Sequence, residues 1–389
     1  MKRTWKKLAC SLLAAVLLLG LAACGGGSTE TEAPATDAPG TAAPATDAPE
    51  TEAPAGETED FSGQTLTVAN WQSYGTDAEY GAAAFEELYG CEVEHYFISS
   101  VPELLQTLLN GGMDEIDVIC INPVYIREYF ANGVIEPVDT TALENYADLR
   151  TDLTDVDDVK DDEGNVLGVP WIWGTTSLFY NADVVTEEIT SWSALWDEQY
   201  AGQVGFFDDH ESAIKVTAMM LGQDPYNPDL AAVEEELIAL KPNVRTYWGT
   251  YDDFVRAYTA GDIVIGNVWG SIATQMKAEG YNIQYVYPEE GTVGWCDYWC
   301  LVTGSDEKDL AMKWIDFCTG SDFQTGLATN GNQVYCPANQ VVLDSLDDET
   351  KQNLWIYPSA PDNMFLSLQM DSDTLNEWIN LWTNVKASA

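Results

Sequence analysis

Residues 291–302 have the sequence Gly-Thr-Val-Gly-Trp-Cys-Asp-Tyr-Trp-Cys-Leu-Val, an apolar and aromatic run with a single acid in its middle. This composition predicts a β-strand, in which successive side chains point to opposite faces. Trp295, Asp297 and Trp299 would then share one face. A carboxylate between indoles suits a cation, because the acid supplies charge and the ring faces supply cation–π attraction. The stretch alone leaves open an acid that is only hydrogen-bonded locally among core tryptophans.

The N-terminal residues predict a lipoprotein signal peptide over 1–23. Basic side chains precede an apolar run at 12–21, which is too short to span a bilayer comfortably, and small residues lead directly into Cys24. We therefore expect a mature chain that begins with a lipidated Cys24 and is anchored on the extracytoplasmic face of a cell membrane. Residues 24–60 repeat acidic Thr-Glu-Ala-Pro and Thr-Asp-Ala-Pro units without one large apolar residue, which predicts a disordered linker.

The chain is strongly acidic, with 64 acidic and 16 basic residues and a formal net charge of −48. Nucleic acid and anionic membrane surfaces are poor partners for such a charge. The simplest interpretation is that the acidity keeps an exported protein soluble. A field of this sign also concentrates cations, which is consistent with a cation site at Asp297.

The cysteines after the linker leave the disulfide pattern open, although an exported protein can form disulfides. These residues are Cys91, Cys120, Cys296, Cys300, Cys318 and Cys336. On an extended strand Cys296 and Cys300 would lie about 13 Å apart, too far to bond to each other. The chain has no Cys-x-x-Cys pair, which argues against a zinc site. We interpret most of them as buried thiols.

From residue 61 onward, strand and helix patterns alternate twice, which predicts two α/β lobes. Strands of the first lobe are predicted at 65–71, 92–97 and 116–121, with a helix between each pair. The second group has strands at 204–207 and 261–269 and helices at 213–221, 230–240 and 253–260. Ligands of open α/β sheets bind beyond the carboxyl ends of the strands. Polar or aromatic residues stand at four such ends, namely Trp71, Asn122, Asp209 and Trp269.

With these residues in place, the chain resembles the substrate-binding proteins of polyamine ABC transporters, the spermidine/putrescine-binding family, over 61–386. The resemblance rests on many short motifs in the same order rather than on one signature. They include Asn70-Trp71-x-x-Tyr74, Asp117-Val118-Ile119, Val169-Pro170-Trp171-x-Trp173-Gly174-Thr175, Gly261-Asp262-Ile263, Trp295-x-Asp297 and Trp382-Thr383-x-Val385-Lys386.

The resemblance implies an α/β, two-lobed periplasmic-binding-protein-like fold of type II, with a mainly parallel sheet in each lobe and a hinge between the lobes. We expect lobe 1 to comprise 61–174 and a return at 295–335, lobe 2 to comprise 175–294, and C-terminal helices at 336–389 to pack on lobe 2. The implied function is that of a monomeric binder without cofactor, metal or catalysis. It would capture a small cation and deliver it to the permease of an ABC importer.

Carried over by position, the resemblance also implies the ligand residues. The aromatic box would be Trp71, Tyr74, Trp269, Trp295 and Tyr335. Polar contacts would come from Ser73, Asn122 and Gln369, and the amine-binding carboxylates would be Asp209 and Asp297. The chemistry is consistent, because a buried ammonium needs a carboxylate partner and the methylenes between amines need flat apolar walls.

Three positions depart from the family pattern, and each of them lacks an acid. Ser73, Ser212 and Ile272 stand where members often carry an acid, although Glu211 is adjacent to one of them. Fewer carboxylates neutralise fewer ammonium groups. This argues against a long polyamine and leaves a diamine, a shorter cation or an altered binding mode open.

Two other classes of function remain as alternatives. A carboxylate-dependent hydrolase could use Asp209 and Asp297 as acid and base, but no nucleophile elbow, metal-ligand cluster or His–acid arrangement accompanies them. The two histidines, His95 and His210, are interpreted as surface or capping residues. A binder of another solute, such as a quaternary ammonium, a thiamine-like cation or a sugar, would use the same aromatic walls. An anion binder would need bases at the strand ends, where the sequence has none.

Overall fold

The computed structural model describes residues 59–72, 74–330, 335–356, 360–361 and 363–388. The predicted signal peptide, Cys24, nearly all of the linker and Ser73 lie outside the described residues. The strands are β1 (Thr65–Asn70), β2 (Glu92–Phe97), β3 (Val118–Ile121), β4 (Ile135–Glu136), β5 (Val169–Asn181), β6 (Val204–Phe207), β7 (Val244–Trp248), β8 (Ile265–Trp269), β9 (Ile283–Val286), β10 (Thr292–Val302), β11 (Cys336–Pro337) and β12 (Met364–Leu366).

The α-helices are α1 (Ala84–Tyr89), α2 (Val101–Leu109), α3 (Pro123–Ala131), α4 (Thr151–Thr154), α5 (His210–Met220), α6 (Leu230–Leu240), α7 (Tyr251–Thr259), α8 (Gly270–Ala278), α9 (Lys308–Thr319), α10 (Ser321–Thr329), α11 (Gln340–Ser345), α12 (Asp348–Asn353) and α13 (Ser372–Ala387). A π-helical turn (Glu79–Ala83) precedes α1. Short 3-10 turns lie at Gly112–Asp114, Thr140–Ala142, Tyr146–Asp148, Asp157–Val159, Trp192–Trp196 and Glu198–Tyr200.

Local sequence chemistry explains where α2 begins. Ser100 occupies the N-cap, its side-chain oxygen accepts a hydrogen bond from the Glu103 N–H at 3.3 Å, and Pro102 lies in the first turn. A capping hydroxyl and an early proline together favour a helix start, because the first N–H groups have no partner within the helix. The predicted start at Ser99 or Ser100 is therefore confirmed, with Ser100 as the cap.

One continuous sheet joins the two predicted lobes, in the strand order β2-β1-β3-β10-β5-β8-β6-β7. The two ends of this sheet are parallel, because β1 pairs in parallel with β2 and β3, and β6 pairs in parallel with β7 and β8. The middle is antiparallel, since β10 pairs with β3 and β5, and β5 pairs with β8. The expected mainly parallel sheet is thus found in each lobe, and antiparallel strands connect the lobes.

The long strands β5 and β10 carry the chain between the lobes. The first half of β5 pairs with β10 and β11, while its second half pairs with β8 and β9. Strand β10 begins beside β12 and ends beside β3 and β4. The segment 291–302 is therefore a strand, as predicted, and it runs into the first lobe.

Three hydrophobic cores support this division. The first contains buried side chains from 61–173 and 296–356 together with Leu366. The second and third lie on opposite faces of β5 where it enters lobe 2, because the successive residues Leu178 and Phe179 belong to different cores. Helices α5, α6 and α13 cover one face of the lobe-2 sheet, and α7 and α8 cover the other.

The C-terminal residues 336–388 contribute to two different cores. Helix α13 buries Trp378, Leu381 and Val385 in the second core, on lobe 2. Residues 336–356 instead contribute to the first core. The reason is a local pairing that sequence patterns do not reveal: β11 joins the first half of β5, and the Trp173 indole N–H donates to the Pro337 carbonyl at 2.8 Å.

All six cysteines after the linker are buried thiols without a disulfide bond, as interpreted from the sequence. Among the described residues, none of the helices combines the length and the apolar character that crossing a bilayer requires.

Candidate functional site

A cavity of about 1450 Å³ lies where the two lobes meet, and both lobes line it. It brings together nine of the ten ligand residues that the resemblance implied, which are Trp71, Tyr74, Asn122, Asp209, Trp269, Trp295, Asp297, Tyr335 and Gln369. The tenth, Ser73, lies outside the described residues. Residues separated by up to 298 positions in sequence thus meet because the carboxyl ends of β1, β3, β6 and β8 face the same gap.

Asp297 is a buried carboxylate near the middle of β10, with only 5% of its surface exposed. The Tyr74 hydroxyl donates a hydrogen bond to its Oδ2 at 2.7 Å. Burial raises the pKa of Asp297 to about 6, and the bond from Tyr74 offsets part of that rise. Asp297 takes part in none of the ion pairs found among the described residues. It is therefore an acid that lacks a cationic partner.

Aromatic rings form the walls around Asp297. The ring centroids of Tyr74 and Tyr335 are 5.3 Å apart, and Trp295 meets Tyr335 edge-on at 6.3 Å. From lobe 2, Trp269 lines the cavity and packs edge-on against Phe207 at 5.2 Å. Trp71, directly after β1, is half-buried against the first core. These rings offer both apolar surface for methylenes and negative faces for a cation.

Gly174 makes room for the indole of Trp295. The two residues are paired across β5 and β10, and a Cβ added at Gly174 would stand 2.3 Å from the Trp295 ring. Such a distance is shorter than van der Waals contact, so only glycine allows the indole to lie across the neighbouring strand. The presence of glycine at position 174 of the motif at 169–175 thus has a structural explanation.

We expect Gly174→Ala to lower the stability of the protein by about 1–3 kcal/mol and to weaken ligand binding about tenfold, because the methyl group displaces Trp295 from the cavity wall. Thermal unfolding and calorimetric titration measure the two effects. Gly249→Ala is the matched control, since a Cβ there meets no atom within 4 Å. Unchanged binding in the Gly174 variant would contradict a role for the Trp295 position.

Trp299 lies farther along β10 than Trp295 and Asp297 and does not line the cavity. It is fully buried in the first core, where its ring packs on Trp171 at 4.9 Å and on Trp314 at 5.9 Å. The register of β10 against β5 shifts between Asp297 and Tyr298. The unpaired residue at this shift is Trp171 of β5, so β10 has no extra residue, and it is burial in the first core that keeps Trp299 away from the cavity.

Asn122 supplies an acceptor that no other group uses. It stands at the N-cap of α3 but makes no capping hydrogen bond, and its buried Oδ1 has no partner among the described residues. An unpaired buried oxygen costs free energy unless a ligand or water satisfies it. Its position on the cavity wall therefore favours a ligand that donates hydrogen bonds.

Asp209 serves as an N-cap and also lines the cavity. Its Oδ2 accepts a hydrogen bond from the Ser212 N–H at 2.7 Å at the start of α5. Burial and the neighbouring charge of Glu211 raise its pKa. Asp208 has a different partner, because its Oδ1 accepts from the Trp382 indole N–H at 2.9 Å and so ties α13 to lobe 2. The two adjacent acids thus have different roles: Asp209 lines the cavity, and Asp208 holds α13.

The two described positions that depart from the family pattern have structural roles. The Ser212 hydroxyl accepts a hydrogen bond from the Asn267 amide at 3.2 Å, and Ile272 is buried in the third core. Glu211 lies beside them on the cavity wall, but its Oε1 is 2.7 Å from the Nζ of Lys215. The wall of lobe 2 therefore presents one carboxylate without a lysine partner, Asp209.

Gln369 reaches the cavity from the segment after β12, and its backbone N–H donates to Asp158 Oδ2 at 2.9 Å. Sequence reasoning missed several other lining residues, which include Tyr125, Phe207, His210, Tyr251 and Gln275. His210 was expected at the surface or in a cap, and as the first residue of α5 it also lines the cavity. Its position beside Asp209 was the signal that could have identified it.

Charged groups at the rim of the cavity are paired with one another. Arg127 is 3.2 Å from Asp162, and Lys160 is 2.9 Å from Asp155. Each of these two bases thus has an exposed acid as its partner. Within the described ranges, no group of three or more His, Cys, Asp or Glu side chains is arranged to hold a metal ion.

Comparisons with known proteins agree with this geometry. The family model described as "Bacterial extracellular solute-binding protein" matches residues 81–357. The spermidine/putrescine-binding periplasmic protein of Escherichia coli K12 is 27% identical over 260 residues, which cover 66% of this chain and 72% of that protein. The putrescine-binding periplasmic protein PotF of the same organism is 24% identical over 347 residues, or 83% of this chain and 92% of that protein.

A solved structure shares the fold. The spermidine/putrescine ABC transporter substrate-binding protein PotD from Streptococcus pneumoniae superposes with a TM-score of 0.74 at 22% identity, covering 83% of this chain and 99% of that one. The family match spans well over half of the chain, including both long connecting strands. The chain therefore belongs to the bacterial extracellular solute-binding protein family.

Proposed function

We propose that the protein is the substrate-binding component of an ABC importer and that it captures small polyamines, with a putrescine-like diamine as the best match. The observation that carries this proposal is Asp297, a buried carboxylate with a tyrosine donor, aromatic walls and no basic partner among the described residues. An ammonium group would supply the missing charge. Asn122 Oδ1 would accept a second hydrogen bond from such a ligand.

The charges of the site favour a cation over the other solutes considered. An anion would be repelled by the buried Asp297 and by Asp209, and the bases Arg127 and Lys160 on the cavity wall each already have an acidic partner. A sugar would use the rings but would gain nothing from a desolvated carboxylate. The names of the relatives in Escherichia coli point in the same direction.

We infer that capture involves closure of the two lobes about β5 and β10, followed by transfer to the permease. Our lobe boundaries, at 174/175 and 294/295, are part of this proposal. They fall within β5 and β10, the strands through which the sheet passes from one lobe to the other. A hinge in strands that both lobes share allows the lobes to rotate while each keeps its own core.

Calorimetric titration with putrescine, cadaverine, spermidine and spermine tests the ligand assignment. We expect at least one of these amines to bind much more tightly than about 1 mM, which corresponds to roughly 4 kcal/mol. Glucose and glutamate serve as neutral and anionic controls and are expected not to bind. A complete lack of amine binding, or tighter binding of a control, would overturn the assignment. Recovery of the amine unchanged after incubation would exclude the hydrolase.

The proposal includes a lipid anchor at Cys24, which lies outside the described residues. We expect cells that express the full chain with Cys24→Ser to release the protein from the membrane fraction and to lose incorporation of labelled palmitate. Substitution of Ser28 by Ala, four residues into the linker, is the control and should leave both unchanged. Palmitate labelling of the Cys24→Ser protein would contradict the anchor site.

A further inference from the structure

Lys215 is a fully buried lysine on α5, close to the ligand cavity. A lysine without any exposed surface is rare, because desolvating its ammonium is costly unless partners replace water. Three groups do so here. Lys215 Nζ lies 2.7 Å from Glu211 Oε1, donates to the Leu366 carbonyl oxygen at 2.6 Å, and stands 4.6 Å from the centre of the Tyr226 ring.

Glu211, the acidic partner of this lysine, belongs to the cavity wall. Its side chain retains 13% of its surface exposed, and it lies one helical turn before Lys215. The charge of Glu211 acts on Asp209 in lobe 2 and on Tyr125 in lobe 1, since it raises the pKa of both groups. A ligand ammonium held near Asp209 would therefore experience Glu211 as well, unless that charge is cancelled.

Lys215 cancels it from inside the protein. Its fully buried ammonium forms an ion pair with one oxygen of Glu211, and the carbonyl of Leu366 and the ring of Tyr226 hold it there. Four other acids line the cavity, but Glu128, Asp162 and Glu163 are exposed and Asp161 accepts hydrogen bonds from the backbone N–H groups of Glu163 and Asn165. Among the remaining acids of the wall, Asp297 and Asp209 have no lysine or arginine partner, and Glu211 is already paired with Lys215. Two such acids match two ammonium groups.

We propose that Lys215 is a specificity-determining residue: as an internal counter-cation to Glu211, it limits the number of ammonium groups that the site accepts and favours diamines over triamines. The inference deepens the proposed function and rests on it. A purely structural role, in which Lys215 only ties α5 to the end of β12, would change stability but would not change the ratio of affinities for ligands of different charge.

A double-mutant cycle separates these roles. We expect Lys215→Met to raise the ratio of spermidine to putrescine affinity at least about tenfold, because the third ammonium can now pair with Glu211. We expect Glu211→Gln to lower the ratio by a similar factor, since Lys215 is then an uncompensated positive charge. The double variant Lys215→Met with Glu211→Gln should return to within about threefold of the original ratio.

The readouts are calorimetric titrations with putrescine and spermidine at neutral pH, and thermal unfolding reports whether each variant folds. If the single lysine variant does not fold, the other two variants still give different expectations: a lowered ratio for Glu211→Gln and a nearly original ratio for the double variant. A ratio that stays the same in the folded single variants would overturn the inference while the proposed function stands. An original protein that binds neither amine would overturn the proposed function and this inference with it.

Discussion

Replacing Asp297 by asparagine is expected to weaken amine binding by about 2 kcal/mol or more, roughly thirtyfold, and to stabilise the ligand-free protein. The loss of affinity follows because asparagine keeps the shape of the side chain and an acceptor for the Tyr74 hydroxyl, but removes the charge that balances the ammonium. Calorimetric titration with the tightest amine measures the change. An unchanged affinity would mean that another group is the charge partner.

The gain in stability has a separate cause in the burial of the carboxylate. Burial raises the pKa of Asp297 from 3.8 to about 6, so ionising this group at neutral pH costs the folded state up to about 3 kcal/mol. Asparagine removes that cost, and we expect the variant to be about 1–3 kcal/mol more stable in urea unfolding above pH 6. Asp322→Asn, an exposed position at the start of α10, is the matched control for the loss of one charge.

The way in which this gain in stability depends on pH distinguishes it from a general change in packing. A carboxyl whose pKa is raised on folding binds protons more readily in the native state, so its contribution to stability is most favourable below 3.8 and is lost as the pH rises to about 6. The stability difference between the variant and the original protein should therefore shrink between pH 6 and pH 4. A difference that does not depend on pH would contradict the assignment of the pKa to Asp297.

The affinity for amines is expected to fall about tenfold for each pH unit below about 6 and to be nearly constant from pH 7 to pH 8. Below pH 6 the carboxyl of Asp297 is protonated in the free protein, and the ammonium must displace that proton in order to bind. The ligand itself remains charged throughout this range, because alkyl amines have pKa values of about 10. The protein is therefore the source of the pH dependence.

Titrations in two buffers with different ionisation enthalpies count the protons released on binding. We expect about one proton to be released near pH 5 and almost none at pH 8. Burial and Glu211 also raise the pKa of Asp209, which can add to the slope at low pH. The Asp297→Asn variant separates the two acids, since it should keep only the part due to Asp209. An equally steep slope in that variant would contradict the role of Asp297.

Local patterns were sufficient for most elements of the fold. The alternation of the segment 291–302 predicted β10, the apolar stripe of 101–109 predicted α2, and the run at 116–121 predicted β3. These features depend on neighbouring residues and on the periodicity of side chains, both of which are written in the chain. The same holds for residues at strand ends, because Trp71, Asn122 and Trp269 directly follow or end their strands.

The sequence and the resemblance named nine of the residues that line the cavity, but they did not indicate which charged side chains pair with one another. The family resemblance supplied Tyr335 and Gln369, which no local pattern marks as cavity residues. Neither pattern nor resemblance indicated that Glu211 is neutralised by a buried lysine or that Asp208 is used by α13. Pairings of this kind depend on distances between side chains of packed elements, so they are absent from any window of sequence.

The sequence by itself determined the acidic character of the protein, its alternating strands and helices, and the presence of an acid among aromatic residues in β10. Tertiary structure alone decided that Trp299 belongs to the core, that 336–356 packs with the first lobe, and that Asp297 is buried without a base. The physical reason is that periodicity and composition are local properties. Strand register, burial and the charge that surrounds a group arise only when distant segments pack together.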